Sequence, residues 1–518
     1  MKKWKNFPLL PSVLLNSFQV MKNKSPFPRW NRRDFLKSTT LTAGALAFGV
    51  PTLLRAQNLN SKLNIAAIGA AGKGASDTDC CAGENIYALC DVDADMCAGQ
   101  RQKYSQAKFY QDFRKLLHEA GGNIDAVMVS TPDHFHAMAA STAMRLGKHV
   151  YCQKPLAQTI YEARYLRNLA HETGVVTQMG NQGSAADGLR RAVECIQAGI
   201  IGQVREVHIW TNRPIWPQGM NRPAAEDPVP AALDWDIWLG PAPVRPFKKG
   251  VYHPFNWRGW LDFGTGALGD MACHTVNMPF RALQLGYPTE IEATPLGEMN
   301  KETYPLGSKI RFEFPARNAP RSEPKKGAEL LRQRQSIGGR SPVTLWWYDG
   351  GQPSPRNPTR HDGSNKPPRE LLTDVEEARG EIPGSGCLLI GDRGKIFSPD
   401  DYGEQFYIKQ TGDKKFVHYT KYPAVAAIPQ TLPRNPNRGD TDRRQHLEWI
   451  AAIKAGKPEM CYSRFAIAAQ LTEIMLLGCV ALRAGKKIEW DGPNLRALNC
   501  PEAAPFIKRE DRAPWTLA

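Results

Sequence analysis

The chain is short of acidic residues: 51 Asp and Glu face 67 Lys and Arg, leaving a formal charge of +16 over 518 residues. The imbalance does not describe a nucleic-acid surface. Residues 1–56 hold ten Lys and Arg against the single acid Asp34, so +9 of the excess sits in one terminal segment and about +7 is spread over the rest. Another basic stretch, residues 317–340, carries seven basic residues against Glu323 and Glu329; rich in Pro and Gly, it reads as a solvated surface insertion. Nucleic acid is therefore excluded as a partner. An even cysteine count is also missing. There are 11 cysteines, with Cys80 and Cys81 adjacent and Cys90 and Cys152 on expected buried strands. No disulfide framework is indicated, and such thiols suit a protein that folds in a reducing compartment.

Arg32 and Arg33 open the run Asn31-Arg32-Arg33-Asp34-Phe35-Leu36-Lys37, followed by an uncharged Ser/Thr/Gly/Ala-rich stretch over 38–54 and by Leu54-Arg55-Ala56, a loose cleavage site. This is the pattern of a twin-arginine signal, which addresses machinery that carries folded proteins. The uncharged stretch lacks the roughly 20 apolar residues of a spanning helix, and it contains four threonines. An uncleaved membrane tether is the alternative, and Met21 is an alternative start. The expectation is export to the periplasm, with the twin-arginine export machinery as a partner. Removing the segment leaves 462 residues, enough for two packed domains.

Residues 63–68 form an apolar run that ends in Gly69-Ala70-Ala71-Gly72-Lys73-Gly74, with a polar helix start beyond it. That is strand, phosphate loop and helix, the arrangement in which backbone N–H groups reach a pyrophosphate. Ala71 occupies the second glycine position of the G-x-G-x-x-G pattern, so Gly69, Ala71, Gly72 and Gly74 are the loop candidates. The next strand, 85–90, ends in Asp91, 22 residues after Gly69. An acidic side chain there binds ribose hydroxyls and repels a 2′-phosphate, which favours NAD over NADP; Asp93 is the alternative. Further strands at 124–130, 149–153 and 175–179 alternate with helices, so the sheet is parallel, with 175–179 read as its sixth strand. Thr159 and Glu162 read as a capping box. His134 and His136 lack a third ligand at suitable spacing, so no metal is expected.

Lys154 lies just past the end of a buried parallel strand, where open α/β sheets place ligands, and can hold an oxygen as a carbonyl forms. Asp270 and His274 stand four apart at the start of a helix and share one face. The histidine can take a hydroxyl proton, and the carboxylate can bind the same sugar or raise the imidazole's basicity.

Four motifs in order resemble the Gfo/Idh/MocA oxidoreductase family: the glycine-rich start, Thr131-Pro132 with His136, Tyr151-Cys152-Gln153-Lys154-Pro155-Leu156, and Gly269-Asp270-Met271-Ala272-Cys273-His274. Met179-Gly180-Asn181-Gln182-Gly183, Trp210-Thr211-Asn212-Arg213-Pro214 and Trp257-Arg258-Gly259-Trp260 are similar to its exported, Trp- and Arg-rich branch. The resemblance implies a catalytic group of Lys154, Asp270 and His274, with Thr131, Pro132, His136 and Lys154 on the cofactor. The chain departs from the family at Ala71, at Asn277, and at Gln153, where a glutamate is usual; Gln153→Glu is expected to be tolerated on that ground.

The fold expected is α/β: a Rossmann dinucleotide-binding domain over 57–182, then an α+β domain over 183–518 with a large open, mostly antiparallel sheet. Its strands are read at 204–210, 309–314, 343–348, 387–397 and 405–409, and its helices 446–454 and 471–483 return to the first domain. The resemblance implies a homo-oligomer, dimer or tetramer. Sugar faces stack on aromatic rings while polar groups hold hydroxyls, so Asn181, Trp210, Arg213, Trp216, Trp257 and Arg258 are the substrate-binding candidates. The function expected is NAD-dependent redox chemistry on a sugar or glycoside hydroxyl. Alternatives are a redox-neutral, NAD-dependent glycosidase and a non-catalytic carbohydrate-binding protein.

The signal reading has a direct consequence. Arg32→Lys with Arg33→Lys should leave folded, NAD-loaded protein in the cytoplasm, as cell fractionation would show; the same protein found outside the cytoplasm would overturn the export route.

Overall fold

The computed structural model describes residues 61–317 and 341–517. The expected signal, residues 1–56, and all of the basic insertion beyond Arg317 lie outside the described residues.

The first sheet consists of β1 (Asn64–Ile68), β2 (Asn85–Cys90), β3 (Lys108–Tyr110), β4 (Ala126–Val129), β5 (His149–Cys152) and β6 (Thr177–Met179). Their order is β3-β2-β1-β4-β5-β6, every neighbouring pair parallel. Chain order reverses between β1 and β4, and a crevice opens beyond the strand ends at such a switch point. The strands are apolar on both faces because helices cover both; β4 is buried throughout. Only β3 has no apolar run to betray it, being a three-residue edge strand that starts at an exposed lysine. The helix Ile160–Thr173 opens with the Thr159–Glu162 capping box and ends at Gly174, φ +64°.

The second sheet has ten strands: β7 (Val204–Thr211), β8 (Glu290–Leu296), β9 (Gly307–Phe314), β10 (Val343–Asp349), β13 (Gly386–Gly391), β14 (Gly394–Ser398), β15 (Tyr407–Gln410), β16 (Val417–His418), β17 (Ile488–Asp491) and β18 (Arg496–Ala497). A small hairpin, β11 (Pro353–Ser354) and β12 (Asn357–His361), stands apart. The order is β16-β15-β14-β13-β7-β10-β9-β8-β17-β18. Only the central β7–β10 pair is parallel, so the sheet is mixed and mostly antiparallel. The run read as one strand over 387–397 is a hairpin, broken at Asp392-Arg393, where the chain turns between Gly391 and Gly394. Strand β8 carries a proline and two glutamates and buries only Ile291 fully, which hides it in the sequence.

Side chains alternate across each strand. Val207 and Ile209 of β7 therefore join the main core, while Trp210 points to the other face, into a cluster with Tyr348, Leu372, Val375, Leu388 and Phe397 under the helix Arg369–Arg379. On the core side runs the helix Phe465–Ala484, against the helix Ile160–Thr173, the helix Gly266–Thr275 and β8. It is long and apolar enough to cross a membrane, but 83% of its most apolar window is buried inside the protein, as befits a core helix. The helix Thr441–Ala455 packs on the helix Lys73–Cys80, so both C-terminal helices return to the parallel-sheet region.

Candidate active site

The site begins where β1 runs into its loop. Gly69 adopts φ +78°, and a Cβ there would lie 2.8 Å from the Ser130 backbone; a Cβ on Gly74 would lie 1.7 Å from the Gly69 carbonyl oxygen. Neither position admits a side chain, because the helix Lys73–Cys80 must start tight against β1 and β4. At Gly72 the opposite holds: the space a Cβ would enter is open, and this side of the helix N-terminus faces a cavity of about 590 Å³. Asp91 joins loop and cavity. Its carboxylate accepts from Ala71 N at 2.8 Å and from Asp93 N at 3.0 Å, and burial pushes it above the usual carboxylate range. Asp93 itself is engaged by His253 Nε2 at 2.8 Å.

From this nucleotide end the cavity passes Thr131 and Pro132 at the end of β4 to Lys154 at the end of β5. Lys154 Nζ donates to Asp270 Oδ1 at 2.7 Å and to the Asp270 carbonyl oxygen at 2.9 Å. Arg258 Nε lies 3.4 Å from the same carboxylate oxygen. Burial would raise the Asp270 pKa, but these two cations outweigh it and hold the group at about 2. One turn on, His274 is buried, its Nδ1 has no hydrogen-bond partner among the described residues, and its ring meets the Tyr402 ring edge-on with centroids 5.2 Å apart. Burial, and then the positive Lys154, depress the imidazole to about 3, so it is a neutral acceptor. Asp270 raises the imidazole as expected, through its charge and without a hydrogen bond, but by less than burial and Lys154 lower it, and the carboxylate also orients Lys154.

Asp133, Tyr402 and Lys73 are among the cavity-lining residues that were not singled out in the sequence. Asp133, 4% exposed, accepts from Thr265 Oγ at 2.7 Å and is pushed up to about 7 by burial. Tyr402 arrives on the loop after β14, and Lys73 follows directly on Gly72. Tyr402 has no local signal, since only the fold brings it to His274. Lys73 and Asp133 had one, each adjoining a residue already marked. Among the described residues, Asp77, Asp442 and His446 could surround a cation, but the Lys73 ammonium already fills that position, 2.7 Å from Asp77 and hydrogen-bonded to Asp442.

Two family models match the chain: the Gfo/Idh/MocA oxidoreductase family, NAD-binding Rossmann fold, over residues 63–181, and its C-terminal alpha/beta domain over residues 197–285. Over these two stretches the chain is similar to this family. Among the relatives it matches, levoglucosan dehydrogenase of Pseudarthrobacter phenanthrenivorans is 24% identical over 37% of this chain and 40% of its own length. Inositol 2-dehydrogenase of Salmonella typhimurium is 28% identical over 24% of this chain and 38% of its own. The match thus spans about two fifths of each relative. A levoglucosan dehydrogenase solved with NADH and levoglucosan superposes with TM-score 0.51 at 16% identity, over 83% of this chain and 99% of that one. An inositol dehydrogenase homologue from Azotobacter vinelandii, solved with NADH and myo-inositol, gives 0.53 at 14%, over 83% and 98%. At these identities the structures share the fold. The model matching residues 63–181 is described as NAD-binding, and the cavity suits that cofactor: an open glycine at a helix N-terminus, a carboxylate at the end of β2, and two unpartnered buried atoms, Thr131 Oγ1 and His274 Nδ1, on lining residues.

Of the residues marked in the sequence, Gly69, Ala71, Gly72, Asp91, Thr131, Pro132, Lys154, Arg213, Trp216, Trp257, Arg258, Asp270 and His274 line this one cavity. Four do not, and are corrected. Trp210 faces the far side of the second sheet, stacked on Phe397, for the alternation reason given above. Asn181 is buried behind the helix Gly266–Thr275, donating to the Cys273 carbonyl. His136 lies between the carbonyls of Thr131 and Pro155, 2.8 and 2.7 Å away, fastening two site loops from behind. Gly74 only permits the close approach to Gly69. The Arg258 guanidinium sits 4.3 Å from the Trp257 ring and 4.4 Å from the Phe255 ring, a prepaid cationic wall beside Asp270.

Lys154→Ala and His274→Ala should each lower turnover by about 100-fold to 10,000-fold while the protein keeps its NAD; near-wild-type turnover in either variant would remove the residue from the chemistry. Asp133 gives a pH signature. With a folded pKa near 7 against 3.8 when free, its contribution to stability is present below pH 3.8 and lost as pH rises to 7. Asp133→Asn should therefore raise the melting temperature more at about pH 8 than at about pH 5, and an equal shift at both would contradict the assignment.

Proposed function

We propose that the chain is an NAD-dependent oxidoreductase acting on a ring or side-chain hydroxyl of a sugar or glycoside, outside the cytoplasm. The observation that carries this is the Lys154–Asp270 pair next to an unpartnered, neutral His274 in a cavity walled by Trp216, Trp257, Arg213 and Arg258. An ammonium has three N–H donors. Asp270 takes two of those on Lys154, which leaves the third for a substrate oxygen.

In the oxidation, that donor binds the hydroxyl oxygen and stabilises it as a carbonyl forms, and His274 accepts the hydroxyl proton. Bound nicotinamide supplies the hydride acceptor. An imidazole depressed to about 3 is too weak a base to form an alkoxide beforehand, so proton loss and oxidation of the carbon occur together. The aromatic wall takes the apolar face of the ring, and Arg213 and Arg258 hold further hydroxyls. Relatives named for levoglucosan and inositol support a polyhydroxylated substrate.

Export by the twin-arginine route, with an uncleaved tether as its variant, fits eleven free thiols, ten of them buried. Outside the cytoplasm NAD cannot be reloaded, so the cofactor stays bound and is reset by a second substrate. A homo-oligomer, dimer or tetramer, completes the reading.

The test is mass spectrometry of the products after purified protein meets a panel of glycosides, with denaturation to release bound nucleotide. A ketosugar and NAD(H) near one per chain are expected. Hydrolysed glycoside with no net redox change would assign the redox-neutral glycosidase instead, and sugar binding without any product would leave a carbohydrate-binding protein.

A further inference from the structure

The residue before the catalytic lysine is glutamine where the family usually has glutamate, and its surroundings explain why. Asp77 lies one turn into the helix Lys73–Cys80 and is fully buried. It accepts from Ser130 Oγ at 2.6 Å, from Gln153 Nε2 at 2.9 Å and from Lys73 Nζ at 2.7 Å, and His446 Nε2, with no closer partner, stands 3.6 Å away. Ser130, Gln153 and Lys73 each offer a proton, the environment of an ionised carboxylate, whereas His446 donates its Nδ1 proton to the Asp442 carbonyl oxygen. Four elements meet on it: the phosphate-loop helix, the end of β4, the end of β5 and the helix Thr441–Ala455.

Gln153 is held in this arrangement. Its Oε1 accepts from Lys154 N at 3.4 Å, and a Cβ on Gly180 would come within 2.7 to 2.8 Å of its amide atoms, so backbone packs against the amide and it cannot swing aside. We infer that Asp77 carries the buried negative charge beneath the strand end that bears Lys154, and that position 153 must be neutral because of it. The pair Asp77 and Gln153 is a positioning device that ties the cofactor loop to the catalytic lysine. A glutamate at 153 would set a second carboxylate about 3 Å from the first, where like charges cannot both ionise. The groups facing Asp77 offer no spare cation: Lys73 is shared with Asp442, Cys80, Cys81 and Tyr151 are neutral, and His446 turns its Nδ1 to the Asp442 carbonyl oxygen. The expectation that Gln153→Glu is harmless, drawn from the family pattern, is thereby reversed.

The inference rests on the NAD site and not on the identity of the sugar, so bound NAD and melting temperature are the readouts, followed from about pH 6 to about pH 9. Gln153→Glu should bind NAD about tenfold or more weakly at the alkaline end and recover as acid lets the two carboxylates share a proton. Asp77→Asn combined with Gln153→Glu reverses the hydrogen bond and should restore NAD binding with no such pH dependence. If Gln153→Glu alone does not fold, a folded, NAD-bearing double variant still upholds the pairing. A double variant as defective as Gln153→Glu, or a Gln153→Glu protein matching wild type across the range, overturns it.

Discussion

The ion pair between Lys154 and Asp270 is the constraint around which the site is arranged. It joins the end of β5 to the helix Gly266–Thr275, two elements that belong to different sheets' surroundings, and Arg258 adds a third segment to the same carboxylate. Both side chains are mostly buried, and removing one partner of a buried pair typically costs about 3–5 kcal/mol because the other charge is left alone. The pair is thus structural and chemical at once: it fixes where the ammonium stands, and it leaves one donor direction for substrate. It also acts on His274: burial first, and then the lysine's charge, keep the imidazole proton-free, while Asp270 offsets them only in part.

A similar economy of charge runs beneath the site. Lys73 is shared between Asp77 and Asp442, Gln153 and Ser130 complete the Asp77 shell, and Tyr151 stacks on His446 with centroids 4.1 Å apart. Departure from the family pattern at position 153 is therefore no sign of a decayed site, which weakens the case for a purely binding protein. Burial has the same conservative effect on the thiols: it pushes Cys97 and Cys273 up to about 12, where they stay protonated and slow to react.

The residues that could be found in the sequence share a local cause. Gly69, Gly72 and Asp91 follow from strand-to-loop geometry, Lys154 from the end of a buried run, and Asp270 and His274 from helical spacing; each needs only its neighbours in the chain. Trp210 failed because a Trp- and Arg-rich motif does not say which face of a strand a residue takes; in β7 that parity sends the indole away from the cavity. Tyr402 could not be found at all, because the folding that brings the β14–β15 loop to His274 is a tertiary event. For the sheets the same division holds: long apolar strands were legible, whereas β3 at an edge, and β8 with its proline and glutamates, owe their pairing to partners already in place.

The most direct test of the account is a structure of the protein with NADH and a bound glycoside or polyol. It should place one hydroxyl-bearing carbon about 3–3.5 Å from the nicotinamide C4, a reactive approach, with that oxygen touching Lys154 Nζ and the His274 ring. A nicotinamide ring directed away from Lys154, or a sugar held only on the outer aromatic rim with His274 untouched, would contradict it.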